Sequence, residues 1–134
     1  MTKTLILTVG LPQSGKSTWA RNTGYPIVNR DAIRLSLHGE IYLQKAEPMI
    51  TVIEDCMVEA LFLAGHETVI VDATHTTPKR RERWLSEEWE IQYKVFRTDI
   101  EVCLMRCQIG RPELIPVIKR MASQWDLTGI REEI

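Results

Sequence analysis

Gly10, Gly15, Lys16 and Ser17 fit the pattern G-x-x-x-x-G-K-[ST] without a mismatch, inside the stretch TLILTVGLPQSGKSTWA. The chemistry of that spacing is phosphate capture. Two glycines let the backbone wrap closely and point N–H groups at phosphate oxygens, Lys16 reaches the β- and γ-phosphates, and Ser17 offers a hydroxyl to Mg²⁺. A helix starting near Gly15 aims its positive end at the same anion. Asp72 closes the apolar run TVIVD and is the natural second magnesium ligand, acting through water. A structural turn alone needs neither Lys16 nor Ser17.

Two further segments can turn a nucleotide site into a phosphotransferase. In NRDAIR, Asp31 is placed to accept a proton from an attacking hydroxyl, and Arg34, three residues on, to hold a phosphate of the acceptor. The competing reading is an N-cap aspartate with an i,i+3 ion pair. In RCQIGRPELIP, Arg106 and Arg111 lie in a stretch broken by Gly110 and Pro112, a candidate hinged lid over the transferring phosphoryl group. There the alternative is a solvated basic helix end.

These residues need elements to position them. TLILTVG, PIVN, TVIVDA and IQYKVFRT read as short buried strands. Helical segments alternate with them: KSTWARN; RDAIRLSLHG, with Asp31 as N-cap and Gly39 as stop; EPMITVIEDCMVEALFLAG; TPKRRERWLSEEW, opened by Pro78; DIEVCLMRCQIG; and VIKRMASQW. In the longest, Met49, Val52, Ile53, Cys56, Met57, Ala60 and Leu61, with Leu63 or Ala64, repeat at helical spacing, and Gly65 follows as a C′ residue. The tail DLTGIREEI reads as irregular or a short helical end. Such alternation predicts an α/β fold: a P-loop three-layer sandwich, with a small parallel sheet of about four strands flanked by helices. The loop strand and the TVIVD strand should be neighbours. One domain over residues 1–134 is expected, with a lid near 106–116.

With 134 residues, 44% hydrophobic and 26% charged, the composition is that of a globular domain. The formal charge of −1 excludes coating of duplex nucleic acid by bulk charge and leaves room for a short strand in a local basic site. No apolar run approaches the ~18 residues of a membrane span, and a cytoplasmic location is expected (a host's cytoplasm if the protein is viral). Cys56, Cys103 and Cys107 form no CxxC pair and read as buried small hydrophobes. Lys79, Arg80, Arg81 and Arg83 can touch a nucleic-acid backbone, but a solvated face paired with Glu82, Glu87 or Glu88 is the expected reading. His75 lies beside Thr74 at the crevice and reads as exposed rather than as an acceptor contact. Trp84, Trp89 and Trp125 are expected to pack from helices, and Trp19 to pack from the helix after the loop.

The motifs VGLPQSGKSTWA, NRDAIR, DATHTTPKRRERW and RCQIGRPELIPVIKRM, in that order, resemble those of bacteriophage-type polynucleotide 5′-hydroxyl kinases, from Thr4 to about Trp125. That family is a group of P-loop phosphotransferases of the adenylate-kinase-like class. The resemblance implies transfer of the ATP γ-phosphate to the 5′-OH of DNA or RNA, with Mg²⁺. It implies Asp31 as general base, Arg34 and Thr74 on the acceptor's 3′-phosphate, and Lys16 and the lid Arg111 on the donor phosphates, with Arg106 as a secondary cation. Gly10, Ser14, Gly15, Lys16, Ser17 and Thr18 would surround ATP. The family carries an Asp immediately before the matching threonine, where this chain has Ala73 and the acid is Asp72. Its lid arginines are one residue closer together. The phosphatase half of some relatives is not expected here. Two other readings use the same loop: a kinase of a small hydroxyl acceptor, such as a nucleoside, sugar nucleotide or amino alcohol, and a non-catalytic nucleotide switch.

Overall fold

The computed structural model describes residues 2–40 and 42–134. Four strands form one parallel sheet: β1 (Thr4–Val9), β2 (Ile27–Asn29), β3 (Thr68–Asp72) and β4 (Glu90–Val95), in the order β2-β3-β1-β4. β1 and β3 are neighbours, as the sequence predicts, with Thr4 opposite Thr68 and Leu7 opposite Val71. Among the described residues six α-helices accompany the sheet: α1 (Lys16–Thr23), α2 (Arg30–His38), α3 (Glu47–Leu63), α4 (Pro78–Glu82), α5 (Ile100–Gly110) and α6 (Ile115–Ser123).

Side chains alternate across β1, so one strand feeds two cores. Leu5, Leu7 and Val9 face α3, packing with Ile50, Val58 and Phe62. Ile6 points the other way, with Ala20 of α1 and Ile70 of β3. Leu11, Cys103, Cys107 and Ile118 make a third cluster that fixes α5 and α6 beside the loop. Burying all these apolar faces forces the carboxyl ends of β1, β2 and β3 to one edge, where open α/β sheets place their ligands.

Several elements differ from the sequence reading. The buried stripe of α3 is Ile50, Glu54, Val58 and Phe62, with Ile53 and Leu61 packed alongside. Met49, Val52, Met57 and Leu63 point outward instead. Cys56 shares that outer face and is exposed, whereas Cys103 and Cys107 are buried as expected, and burial raises both their thiol pKa values. A buried glutamate interrupts the apolar period and shifts the apparent face by one position.

The helix opened by Pro78 stops at Glu82, so Trp84 and Trp89 lie beyond it, and Trp125 lies past the end of α6. They still pack. Trp84 sits in the main core, Trp89 stacks on Phe62 and Trp125 closes against both α5 and α6. Trp19 meets Phe96 edge-on. The tail is irregular, as expected, and its last residues touch the edge of β4 at one point: Tyr93 donates its N–H to the Glu132 carbonyl, and the Ile134 N–H donates to the Tyr93 carbonyl.

Candidate active site

The loop between β1 and α1 is built for close backbone approach. A Cβ on Gly10 would lie 2.6 Å from Ser14 Oγ and 3.0 Å from Phe96 Cβ, so only glycine fits. Gly15 caps α1 at φ 102°, in the left-handed region that glycine adopts freely. Lys16 is buried, and its Nζ donates to the Leu11 carbonyl at 2.7 Å. Burial pulls its pKa down to about 8, against the opposing charges of Asp72 and Asp31. An anion bound beside this desolvated ammonium would favour its charged form and raise the pKa again.

Ser17 Oγ donates to Asp72 Oδ2 at 2.7 Å, and Asn29 Nδ2 donates to the same oxygen at 2.9 Å. The register puts Asn29 opposite Asp72, so the sheet itself delivers this contact. Asp72 is thus the acid at the loop, despite standing one residue earlier than the resembling family's aspartate. A hydroxyl and a carboxylate at the start of a helix are oxygen donors of the kind Mg²⁺ takes beside phosphate and water. Ser14 Oγ, buried and without a hydrogen-bond partner, is a further group a nucleotide phosphate would satisfy. Here the residues present fit a magnesium nucleotide, whose metal would polarise the β- and γ-phosphates.

Asn29, not Asp31, caps α2: its Oδ1 accepts from the Ala32 N–H at 2.8 Å. Asparagine at the end of a short strand was the available signal, since it is among the best N-caps. Freed of that duty, Asp31 sits in the first turn, half-exposed on the cleft. Arg34 Nη1 donates to its Oδ1 at 2.9 Å, and Arg111 Nη1 lies 3.7 Å from its Oδ2.

The rest of the arginine cluster was hidden in the sequence. Glu47, at the start of α3, takes Arg34 Nε at 2.9 Å and also Arg34 Nη2, while sharing Oε1 with Arg30 at 3.2 Å. Burial works against the Arg34 charge, but Glu47 and Asp31 outweigh it and its pKa rises; the Arg34 hydrogen bond in turn holds Glu47 below the usual carboxylate range. Glu54, fully buried, accepts from Arg30 at 2.8 Å and from Arg83 at 2.9 Å. Arg83 also reaches Asp55 at 2.7 Å, so its partners lie on α3 and are not Glu82, Glu87 or Glu88. Arg81 is no surface cation either. It is buried and donates to the carbonyls of His75, Asp126 and Thr128, tying the loop after β3 to the tail. Lys79 and Arg80 are exposed as expected.

His75 is buried rather than exposed, with φ 44°. Its Nδ1 donates to the Thr8 carbonyl at 2.8 Å, which fixes the tautomer, and burial pushes its pKa down to about 3. It is therefore a neutral imidazole. Thr74 lines the cleft, and its carbonyl accepts from the Gly10 N–H.

The lid arginines separate. α5 ends at Gly110, Arg111 bends the chain, and a 3₁₀ turn at Pro112–Leu114 leads into α6. Arg106 Nη1 donates to the Gln13 carbonyl at 2.9 Å and so lies against the phosphate loop. Arg111 lies instead between Asp31 and Glu113. Lys16, Ser17, Asp31, Arg34, Arg106 and Arg111 line one cleft of about 1820 Å³.

A parallel sheet, a glycine–lysine loop and an acid on the neighbouring strand define a P-loop kinase-like domain. A family model described as an AAA domain matches residues 5–109, and the chain belongs to that family. Among solved structures, the chain resembles one in the Pnkp1/Rnl/Hen1 RNA repair complex (27% identity over 93% of this chain, TM-score 0.71) and a second structure of that complex (32% over 82%, TM-score 0.71). It spans 47% and 40% of those chains, so under half their length. A gluconokinase from Sinorhizobium meliloti shares the fold at 19% identity, over 96% of this chain and 79% of that one, with a TM-score of 0.61. Among the described residues, no helix is long and apolar enough to cross a membrane.

Proposed function

We propose that this domain transfers the γ-phosphate of ATP to the 5′-hydroxyl end of a nucleic acid. The observation that carries the reading is Asp31, held between Arg34 and Arg111 on the same cleft as Lys16. The 5′ oxygen gives its proton to an Asp31 carboxylate oxygen and bonds to the γ-phosphorus, while the bond from that phosphorus to the β–γ bridging oxygen breaks and ADP leaves. Lys16, Arg106 and the loop N–H groups hold the donor phosphates. Ser17 and Asp72 hold magnesium. Arg111, between the two halves, meets the charge that develops on the transferring group. Arg34, with Thr74 facing the same cleft, takes the phosphate that follows the first nucleoside.

Arginine supports a nucleic acid over a neutral alcohol. Arg30, Arg34, Arg80 and Arg83 all line the acceptor side of the cleft. Likeness to a chain of an RNA repair complex supports the same class. One observation favours a small hydroxyl acceptor instead. Glu47 already occupies the Nε–Nη2 edge of Arg34, which an incoming phosphate must take over.

Labelled-phosphate transfer from γ-labelled ATP tests the reading, with 5′-OH oligonucleotides of DNA and RNA beside nucleosides, gluconate and amino alcohols. Labelling of the oligonucleotides is expected. Labelling of a small alcohol alone would replace this reading with the second one.

A further inference from the structure

The groups placed above account for a hydroxyl and a phosphate, but not for a nucleobase. Among the described residues, the part of the cleft beyond Arg34 carries an aromatic ring that the chemistry has not used. α2 is capped by Gly39, at φ 70°. Tyr42 lies beside Arg34, with the guanidinium carbon 5.8 Å from its ring centre. That separation is at the outer limit of a cation–π contact, so the ring is steadied but not covered. Tyr42 keeps 61% of its surface open, and Leu35, next to Arg34 on α2, is also exposed. Both line the cleft that holds Asp31.

A lone exposed tyrosine carries little meaning. This one sits beside a guanidinium that Asp31 holds at Nη1, a contact an incoming phosphate on the Glu47 edge leaves in place, so its place relative to the base carboxylate is set. One guanidinium separates ring from carboxylate. A nucleoside with its 5′ oxygen on Asp31 and its phosphate on Arg34 can therefore lay its own base on Tyr42. The ring stands at the mouth of the cleft and not inside a closed pocket, which suits an acceptor that continues outward as a strand.

We propose that Tyr42, with the exposed Leu35 on the same cleft, is the stacking platform for the first nucleobase of the acceptor strand. The inference rests on the nucleic-acid reading above. A π-face accepts every base, so the platform selects for a base without selecting among bases.

The test compares two 5′-OH dinucleotides, one with its 5′ base and one abasic at that position, in the wild type, Tyr42→Ala and Tyr42→Phe. In the wild type the base-bearing acceptor should have a KM lower by roughly tenfold, the scale of one stacked base. That preference should vanish in Tyr42→Ala and persist in Tyr42→Phe. A fluorescent purine at the 5′ position should be quenched on binding to the wild type and not to Tyr42→Ala. A preference that survives in Tyr42→Ala overturns the proposal, as does an equal loss on both acceptors, which marks a loosened Arg34. Failure of the wild type to label either dinucleotide overturns the nucleic-acid reading and this one with it, whereas labelling with an unchanged preference overturns only the platform.

Discussion

On the proposed reading the cleft has a donor half and an acceptor half, and the two are built in opposite ways. The donor half is one continuous turn of chain, from Gly10 to Thr18, closed by single contacts from Asp72 and Arg106. Its groups are mostly backbone N–H and one buried lysine. The acceptor half is assembled from α2, α3, α4 and the bend after α5, and its order comes from arginine–carboxylate pairs. A loop fixed by glycine geometry can cradle a constant group, the triphosphate. A cluster fixed by ion pairs can exchange one anion for another, which is what an acceptor site must do.

The largest expected effect lies where the halves meet. Asp31→Asn should lower kcat by about 10²- to 10⁴-fold, the usual worth of a positioned general base, while ATP affinity measured by calorimetry holds. A kcat within a few-fold of wild type would remove Asp31 from proton transfer.

Glu54→Gln breaks the acceptor half from beneath. Removing the carboxylate charge leaves Arg30 and Arg83 facing each other across a neutral amide. Breaking such a pair costs about 3–5 kcal/mol when fully buried. Both arginines remain partly exposed, so a loss of about 3 kcal/mol in a denaturant titration is expected. An unchanged midpoint would show that water already compensates the pair.

Glu47→Gln sharpens the comparison. Losing the carboxylate charge frees the Arg34 edge, so KM for a nucleoside 3′-phosphate should fall by several-fold, roughly 3 to 10, the scale of one partly exposed ion pair. KM for the plain nucleoside should stay put. A higher KM for both would make Glu47 a brace and not a competitor.

The smallest effect belongs to the donor half. Lys16 has a pKa of about 8 in the free domain, below its ordinary 10.5. Bound triphosphate favours the charged amine. Between pH 8 and the higher pKa of the complex, binding must therefore take up a proton, and ATP affinity should weaken by up to tenfold per pH unit. Calorimetry in buffers of different ionisation enthalpy reads that proton directly. Affinity that is flat from pH 7.5 to about 9.5 would contradict it.

How well each half could be read from the sequence follows the same division. The phosphate loop is contiguous, and its glycines and lysine name their own roles. The strand alternation gave the sheet order at its centre, because the middles of β1 and β3 are continuous apolar runs. Asp31, Arg34 and Arg111 stood out by type and by resemblance. Glu47, Glu54 and Arg30 did not, because pairing them requires knowing which face of α3 is inside. The buried stripe contains Glu54, and periodicity of apolar types skips over it. Trp84 and Trp89 were read as helical because Pro78 starts a helix well, yet nothing local marks its stop at Glu82. The single bridge from Glu133 to Tyr93 depends on a strand some forty residues away, which a window of sequence does not contain.

The central claim is that an ion-paired arginine beside Asp31 makes a site for a phosphate-bearing acceptor. The measurement that tests it most directly is kcat/KM for a nucleoside 3′-phosphate relative to its plain nucleoside, in the wild type and in Arg34→Ala. The account predicts a preference of roughly 10- to 100-fold for the phosphorylated acceptor, the worth of one charge-assisted contact, and its loss in Arg34→Ala. Equal use of both acceptors by the wild type, or a preference that survives without Arg34, would contradict it.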